Sequence, residues 1–168
     1  MFAERHVRQA EEVLDRCRKL GLRLATAESC TGGLIASCLT AVPGSSDVFD
    51  RGFVTYDNAA KVEMLGVTEA SLAAHGAVSE AVACAMAEGA LANAAAQIAV
   101  ATTGIAGPGG GTKTKPVGLV YIAVAGLGRK TRCTRNVIKG NRESVRITAM
   151  EQSLSMVEQY LSKKPTAP

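Results

Sequence analysis

Ile98 to Thr102 is a short apolar run rich in β-branched side chains. It is broken at once by Gly104-Ile105-Ala106-Gly107-Pro108-Gly109-Gly110-Gly111. Five glycines in eight residues are poor material for a helix or an inner strand, so the chain calls for a buried strand that empties into a loop. The same handover occurs near the start. Leu22 to Ala27 reads as a strand, and Glu28-Ser29-Cys30-Thr31-Gly32-Gly33 as a tight turn feeding an apolar helix from Leu34 to Ala41.

Helices separate these strands. Val7, Ala10, Leu14 and Cys17 recur at three- and four-residue steps, which predicts a helix from about Glu4 that stops at Gly21. Arg51 to Tyr56 reads as a strand, after which Asp57 or Asn58 caps a helix carrying Lys61 and Leu65 and ended by Gly66. Thr68 and Ser79 are N-cap candidates for two further helices, the second Ala-rich from Glu80 to about Ala95. Val117 to Ala125 and Thr131 to Ile138, joined around Gly126-Leu127-Gly128, predict an antiparallel hairpin. A last helix from Asn141 carries Ile147, Met150, Leu154, Val157 and Leu161 on one stripe. Early alternation followed by a hairpin predicts an α/β fold with a mixed sheet covered by helices on both faces. The expectation is a single domain over residues 1–162 and a frayed polar tail over 163–168.

Composition narrows the function classes. Five cysteines without a C-x-x-C spacing read as reduced thiols, and the separated His6 and His75 offer no zinc-ligand pattern. Aromatics are scarce and Trp is absent, which argues against a stacking platform for single-stranded nucleic acid. The polar N-terminus lacks a signal-peptide core, and no apolar run approaches the roughly 20 residues of a spanning helix. The expected location is cytoplasmic. The charge excess is local: Arg129, Lys130, Arg132, Arg135, Lys139, Arg142 and Arg146 face only Glu143 in that stretch, which is expected to attract an anion.

Ligands of α/β sheets gather beyond the carboxyl ends of strands, and three segments occupy such places: Glu28 to Gly33, Tyr56 to Lys61 and Thr103 to Gly111. Ser29 before Thr-Gly-Gly has the logic of a nucleophile turn, in which glycines let backbone N–H groups approach an oxyanion. It equally suits Ser29 and Thr31 as helix caps. A nucleophilic Ser29 needs a base, and with neither histidine in such a loop, Lys61 is the candidate. A solvated helix lysine is the plainer alternative. As a base, Lys61 requires a pKa lowered from about 10.4 toward roughly 7 or 8, which burial and a cation such as Arg142 would bring about. Cys30 is a rival nucleophile or a buried packing residue. The glycine loop lacks both the Walker and the G-x-G-x-x-G patterns. Arg142, near the start of a helix, suits a phosphate.

Taken together, Ala27-Glu28-Ser29-Cys30-Thr31-Gly32-Gly33, Tyr56-Asp57-Asn58-Ala59-Ala60-Lys61, His75-Gly76-Ala77-Val78-Ser79 and Thr103-Gly104-Ile105-Ala106-Gly107-Pro108-Gly109-Gly110, followed by Lys115-Pro116-Val117-Gly118, closely resemble the C-terminal domain of the CinA competence/damage-inducible family. The resemblance implies a three-layer α/β/α sandwich, often dimeric. It also implies a nicotinamide mononucleotide amidohydrolase of pyridine nucleotide salvage that needs no cofactor, metal, nucleic acid or membrane. It maps catalytic roles onto Ser29, Lys61 and Tyr56. Substrate contacts map onto Thr31, Gly32, Gly33, Ser46, Asn58, Thr103, Gly104, Ala106, Gly107 and Arg142. Asn141 stands where the family commonly has Asp, and Lys113-Thr114 where it commonly has Pro-Glu; both border the presumed nucleotide site. Larger members carry an N-terminal domain with pyrophosphatase activity, for which no counterpart is expected before Glu28. The rival readings are a non-catalytic nucleotide-binding module linked to competence or DNA damage, and a serine hydrolase acting on another amide.

Overall fold

The computed structural model describes residues 2–162; the expected tail, 163–168, lies outside the described residues. Its elements run α1 (Glu4–Lys19), β1 (Leu24–Glu28), α2 (Leu34–Thr40), β2 (Phe49–Val54), α3 (Asn58–Leu65), α4 (Glu69–His75), α5 (Glu80–Ala92), β3 (Ile98–Gly104), β4 (Leu119–Gly126), β5 (Arg129–Val137) and α6 (Arg142–Ser162). A 3₁₀ turn at Ser45–Asp47 precedes β2. Caps form where short polar residues were available. The side chains of Asp57, Thr68 and Ser79 accept the N–H groups of Ala59, Ser71 and Val82, and Asn141 Oδ1 accepts that of Ser144 at 2.9 Å. Asn141 thus does the capping that an Asp would do.

The sheet order is β2-β1-β3-β4-β5. β1 pairs in parallel with both β2 and β3, whereas β3–β4 and β4–β5 are antiparallel, so the late hairpin forms as expected. Side-chain size separates the two faces. Leu24, Ile98, Val100, Val120, Ile122 and Val124 pack under α1, α2 and α6. The alternate residues Ala25, Ala27, Ala99, Ala101, Ala123 and Ala125 meet the Ala-rich α5. Small residues on both sides let α5 lie close to the sheet, and the result is the expected three-layer sandwich with a mixed sheet.

Boundaries differ where local geometry intervenes. β3 continues to Gly104 because Thr103 and Gly104 still pair with Tyr121 and Val120. β4 starts only at Leu119, after Gly118 turns at φ +89°. α5 stops at Ala92, short of Ala95, where the Asn93 side chain donates to the Gly89 carbonyl at 2.8 Å.

Gly89 also marks the tightest approach of α5 to α3, since a Cβ there would collide with the Leu65 carbonyl. Gly89→Ala is therefore expected to destabilise the fold by about 1–3 kcal/mol, the overlap outweighing the roughly 1 kcal/mol that Ala contributes in a helix. Urea unfolding checks this, and a more stable variant would refute it.

Candidate active site

β1, β2 and β3 run in the same direction, and the chain leaves β1 for β2 on one side while β3 lies on the other. Such a switch point opens a crevice at the carboxyl ends of the strands. Ser29 follows β1, and Tyr56 with the start of α3 follows β2. Thr103 and Gly104 end β3, and the 105–110 loop follows them. These segments enclose a cleft of about 280 Å³ that also takes in Cys30, Asn58, Lys61, Ala77, Val78 and Arg142.

Lys61 lies at the bottom of this cleft with 1 % of its surface exposed. The ε-ammonium position is set by α3: Nζ donates to the Thr55 carbonyl at 2.8 Å and to Ser29 Oγ at 3.2 Å, with longer contacts to the carbonyls of Tyr56 and Asp57. Burial holds the Lys61 pKa below its usual 10.5, and Asp57 opposes that effect in part. The expected help from Arg142 is absent, because its guanidinium points elsewhere. Nη1 donates to the Gly107 carbonyl at 2.8 Å and Nη2 to the Tyr56 hydroxyl at 2.7 Å.

Ser29 Oγ does not cap α2. Its backbone N–H donates to the Thr102 carbonyl at 3.0 Å, which pins the turn to β3 and leaves the hydroxyl for Lys61. Neighbouring Cys30 reaches the cleft too, but burial, with Glu28 as a further contributor, pushes its thiol up to about 11. A thiol so protonated at neutral pH is a weak nucleophile, and Ser29 is the group in contact with Lys61.

Four expected contacts are not brought to the cleft. Thr31 is fully buried, its hydroxyl shared with that of Thr102 at 2.8 Å. Gly32 and Gly33 adopt φ of +59° and +96°, which lets the turn reverse into α2, and the Gly33 N–H is taken by Glu28. Ser46 is exposed at the amino end of β2, a strand's length of roughly 20 Å from the carboxyl ends that form the cleft. Its P-G-S-S segment serves as the turn into that strand.

The basic stretch also divides. Arg129 stacks on the Tyr160 ring at 4.0 Å, while Arg142 and Arg146 bond to the loops around Ser29 and Gly107. Among the described residues, no three His, Cys, Asp or Glu side chains gather where they could hold a metal ion.

The sequence model of the CinA C-terminal domain matches residues 6–161. The chain belongs to this family.

The fold agrees with solved family structures. The competence/damage inducible protein CihA of Agrobacterium tumefaciens is 44 % identical with a TM-score of 0.92, the match covering 97 % of this chain and 99 % of that one. A CinA superfamily protein of Escherichia coli is 35 % identical with a TM-score of 0.89, covering 95 % and 94 %. Among curated sequences, the CinA-like protein of Chloroherpeton thalassium is 47 % identical over 96 % of this chain and 39 % of its own length. The match spans between 28 % and 39 % of the length of such relatives.

Of the CinA motifs, the Ser29 turn, the Tyr56 to Lys61 segment and the Thr103 to Gly110 segment meet at the cleft, and His75 to Ser79 adds Ala77 and Val78 to its wall. Thr103 Oγ1 donates to the Ala77 carbonyl at 2.8 Å, joining two of these segments. Lys113 and Thr114 lie outside the lining. Sequence reasoning did not connect Glu28 and Arg146 with the Ser29 turn, which both hold from outside the cleft. The one signal available was a carboxylate directly before a serine turn, and no local pattern links it to Arg146.

Proposed function

We propose that the protein is a nicotinamide-nucleotide amidase that converts nicotinamide mononucleotide and water to nicotinic acid mononucleotide and ammonia. The observation that carries this reading is the buried 3.2 Å contact between Lys61 Nζ and Ser29 Oγ inside a cleft walled by Arg142 and the glycine loop. In its neutral form Lys61 takes the hydroxyl proton as Ser29 Oγ bonds to the carboxamide carbon, and the carbonyl electron pair moves onto oxygen. Collapse of this intermediate expels ammonia, which carries the proton returned by Lys61. Water then attacks the ester, giving its proton to Lys61, and the acid leaves as Ser29 recovers its hydrogen.

Arg142 supports a phosphorylated substrate. Two of its five N–H donors hold Gly107 and Tyr56, which fixes the fork, and three remain for an anion at the positive start of α6. Anchoring the phosphate sets the distance from it to the reacting amide. The direct test is ammonia release by purified protein from nicotinamide mononucleotide and from free nicotinamide. Turnover of the mononucleotide is expected, with nicotinamide far slower. Arg142→Leu is expected to raise KM for the mononucleotide about 10- to 100-fold, the worth of a charge-assisted hydrogen bond. Equal turnover of both compounds would refute phosphate anchoring, and absence of release from folded protein would refute the amidase reading.

A further inference from the structure

The turn that carries Ser29 is gripped from both sides by charged groups outside the cleft. On the inner side the fully buried Glu28 accepts the N–H groups of Gly33 at 3.0 Å and Ile35 at 3.1 Å through Oε2, and that of Ala36 at 2.9 Å through Oε1. These are donors at the start of α2, whose N-cap, Gly33, offers no side chain. A carboxylate there satisfies unpaired N–H groups and the positive end of the helix together. On the outer side Arg146, one turn after Arg142, donates from Nε to the Cys30 carbonyl at 3.2 Å and from Nη2 to the Thr31 carbonyl at 2.9 Å.

The grip has a direction. In a trans peptide the carbonyl and the following N–H point opposite ways, so holding the Cys30 carbonyl toward α6 turns the Thr31 N–H away from it. The other amides of the turn are occupied: Ser29 N–H by Thr102, Gly32 N–H by the Ser29 carbonyl and Gly33 N–H by Glu28. Among the described residues no backbone carbonyl accepts from Cys30 or Thr31 N–H. Of the two, Cys30 lines the cleft and its amide directly follows the nucleophile, where an oxyanion would develop, whereas Thr31 is fully buried behind it.

We infer that Arg146 and Glu28 are positioning residues of acyl transfer, clamping the turn so that Ser29 Oγ stays on Lys61 and the Cys30 amide is left for the developing oxyanion. The inference rests on the amidase reading for its substrate but on the Ser29 turn alone for its geometry.

Arg146→Met and Arg146→Lys in the full chain test it, because the half-buried Arg146 can be replaced with less risk to folding than Glu28. Two rates are compared: ammonia release from nicotinamide mononucleotide, and labelling of Ser29 by a fluorophosphonate. In labelling, the serine oxygen bonds to phosphorus, fluoride leaves and its proton passes to Lys61; intact-protein mass reads the product. Arg146→Met is expected to lower kcat about 10- to 100-fold, with KM changed less than about threefold, and to slow labelling by a similar factor. Arg146→Lys is expected to fall between, and millimolar guanidinium to restore part of the loss. Wild-type kcat and labelling per folded molecule, even with a lower melting temperature, would overturn the clamp, as would a wild-type Ser29 that does not label. Slowed labelling alongside absent mononucleotide turnover would refute the substrate and leave the clamp standing.

Discussion

Ser29→Ala is expected to reduce ammonia release from nicotinamide mononucleotide by about 10³-fold or more while leaving the fold intact. Loss of a nucleophile removes the acyl-enzyme route entirely, and what remains is binding and oxyanion stabilisation acting on water. The structural cost is small because the hydroxyl makes one side-chain contact, to Lys61 Nζ, and Lys61 keeps the Thr55 carbonyl at 2.8 Å. The turn itself is held by Thr102, Glu28 and Arg146 and does not depend on the hydroxyl. Steady-state ammonia release and circular dichroism check both halves. A folded variant with the wild-type rate would eliminate Ser29 as nucleophile.

Lys61→Met is the second large effect, with an expected loss of about 10³-fold, since an unactivated serine is a poor nucleophile at neutral pH. Stability should change far less. Removing a buried ammonium is favourable, while leaving the Thr55 carbonyl without its partner is not, and the net is expected to stay within about 2 kcal/mol. The pH dependence gives a sharper signature. Burial lowers the Lys61 pKa in the folded protein, so between that value and 10.5 the unfolded chain binds more protons than the folded one. The Lys61 contribution to stability therefore rises with pH through that window and is constant below it. As a base Lys61 must be neutral, so kcat/KM is expected to climb with pH up to the lowered pKa and then level off. Urea unfolding across pH should show the rising limb in wild type and its loss in Lys61→Met. A rate profile that is flat with pH would remove Lys61 from proton transfer.

The two effects draw on different levels of the chain. In sequence Lys61 reads as a candidate base or as a solvated helix lysine, on a helix capped by Asp57 or Asn58, of which Asp57 is the cap that forms. Its burial arises because α3 begins directly beyond β2, beside β1, so the first turn of the helix faces the end of a neighbouring strand rather than solvent. Arg142 shows the reverse. Its place at the start of a helix was readable, but its expected influence on Lys61 was not realised, because Gly107 and Tyr56 hold the guanidinium at the cleft wall. Ser46 and Thr31 carried the right residue types in the right motifs, and sheet geometry placed one at the far end of β2 and the other behind the turn.

Local chemistry accounts for what was legible. Apolar spacing set α1 and α6, short polar residues set the starts of α3, α4, α5 and α6, and glycines marked the turns; each depends on side chains only a few positions apart. The α/β class and the late hairpin follow from the order of those signals. Strand neighbours are another matter. That β1 lies between β2 and β3, bringing Ser29 to Lys61, Thr31 to Thr102 and Cys30 to Arg146, is decided by which faces can be buried together and which crossovers the chain can make. Those pairings span 32 to 116 residues of chain. No periodicity within a segment encodes them, so the contact between Ser29 and Lys61 is a property of the packed sheet.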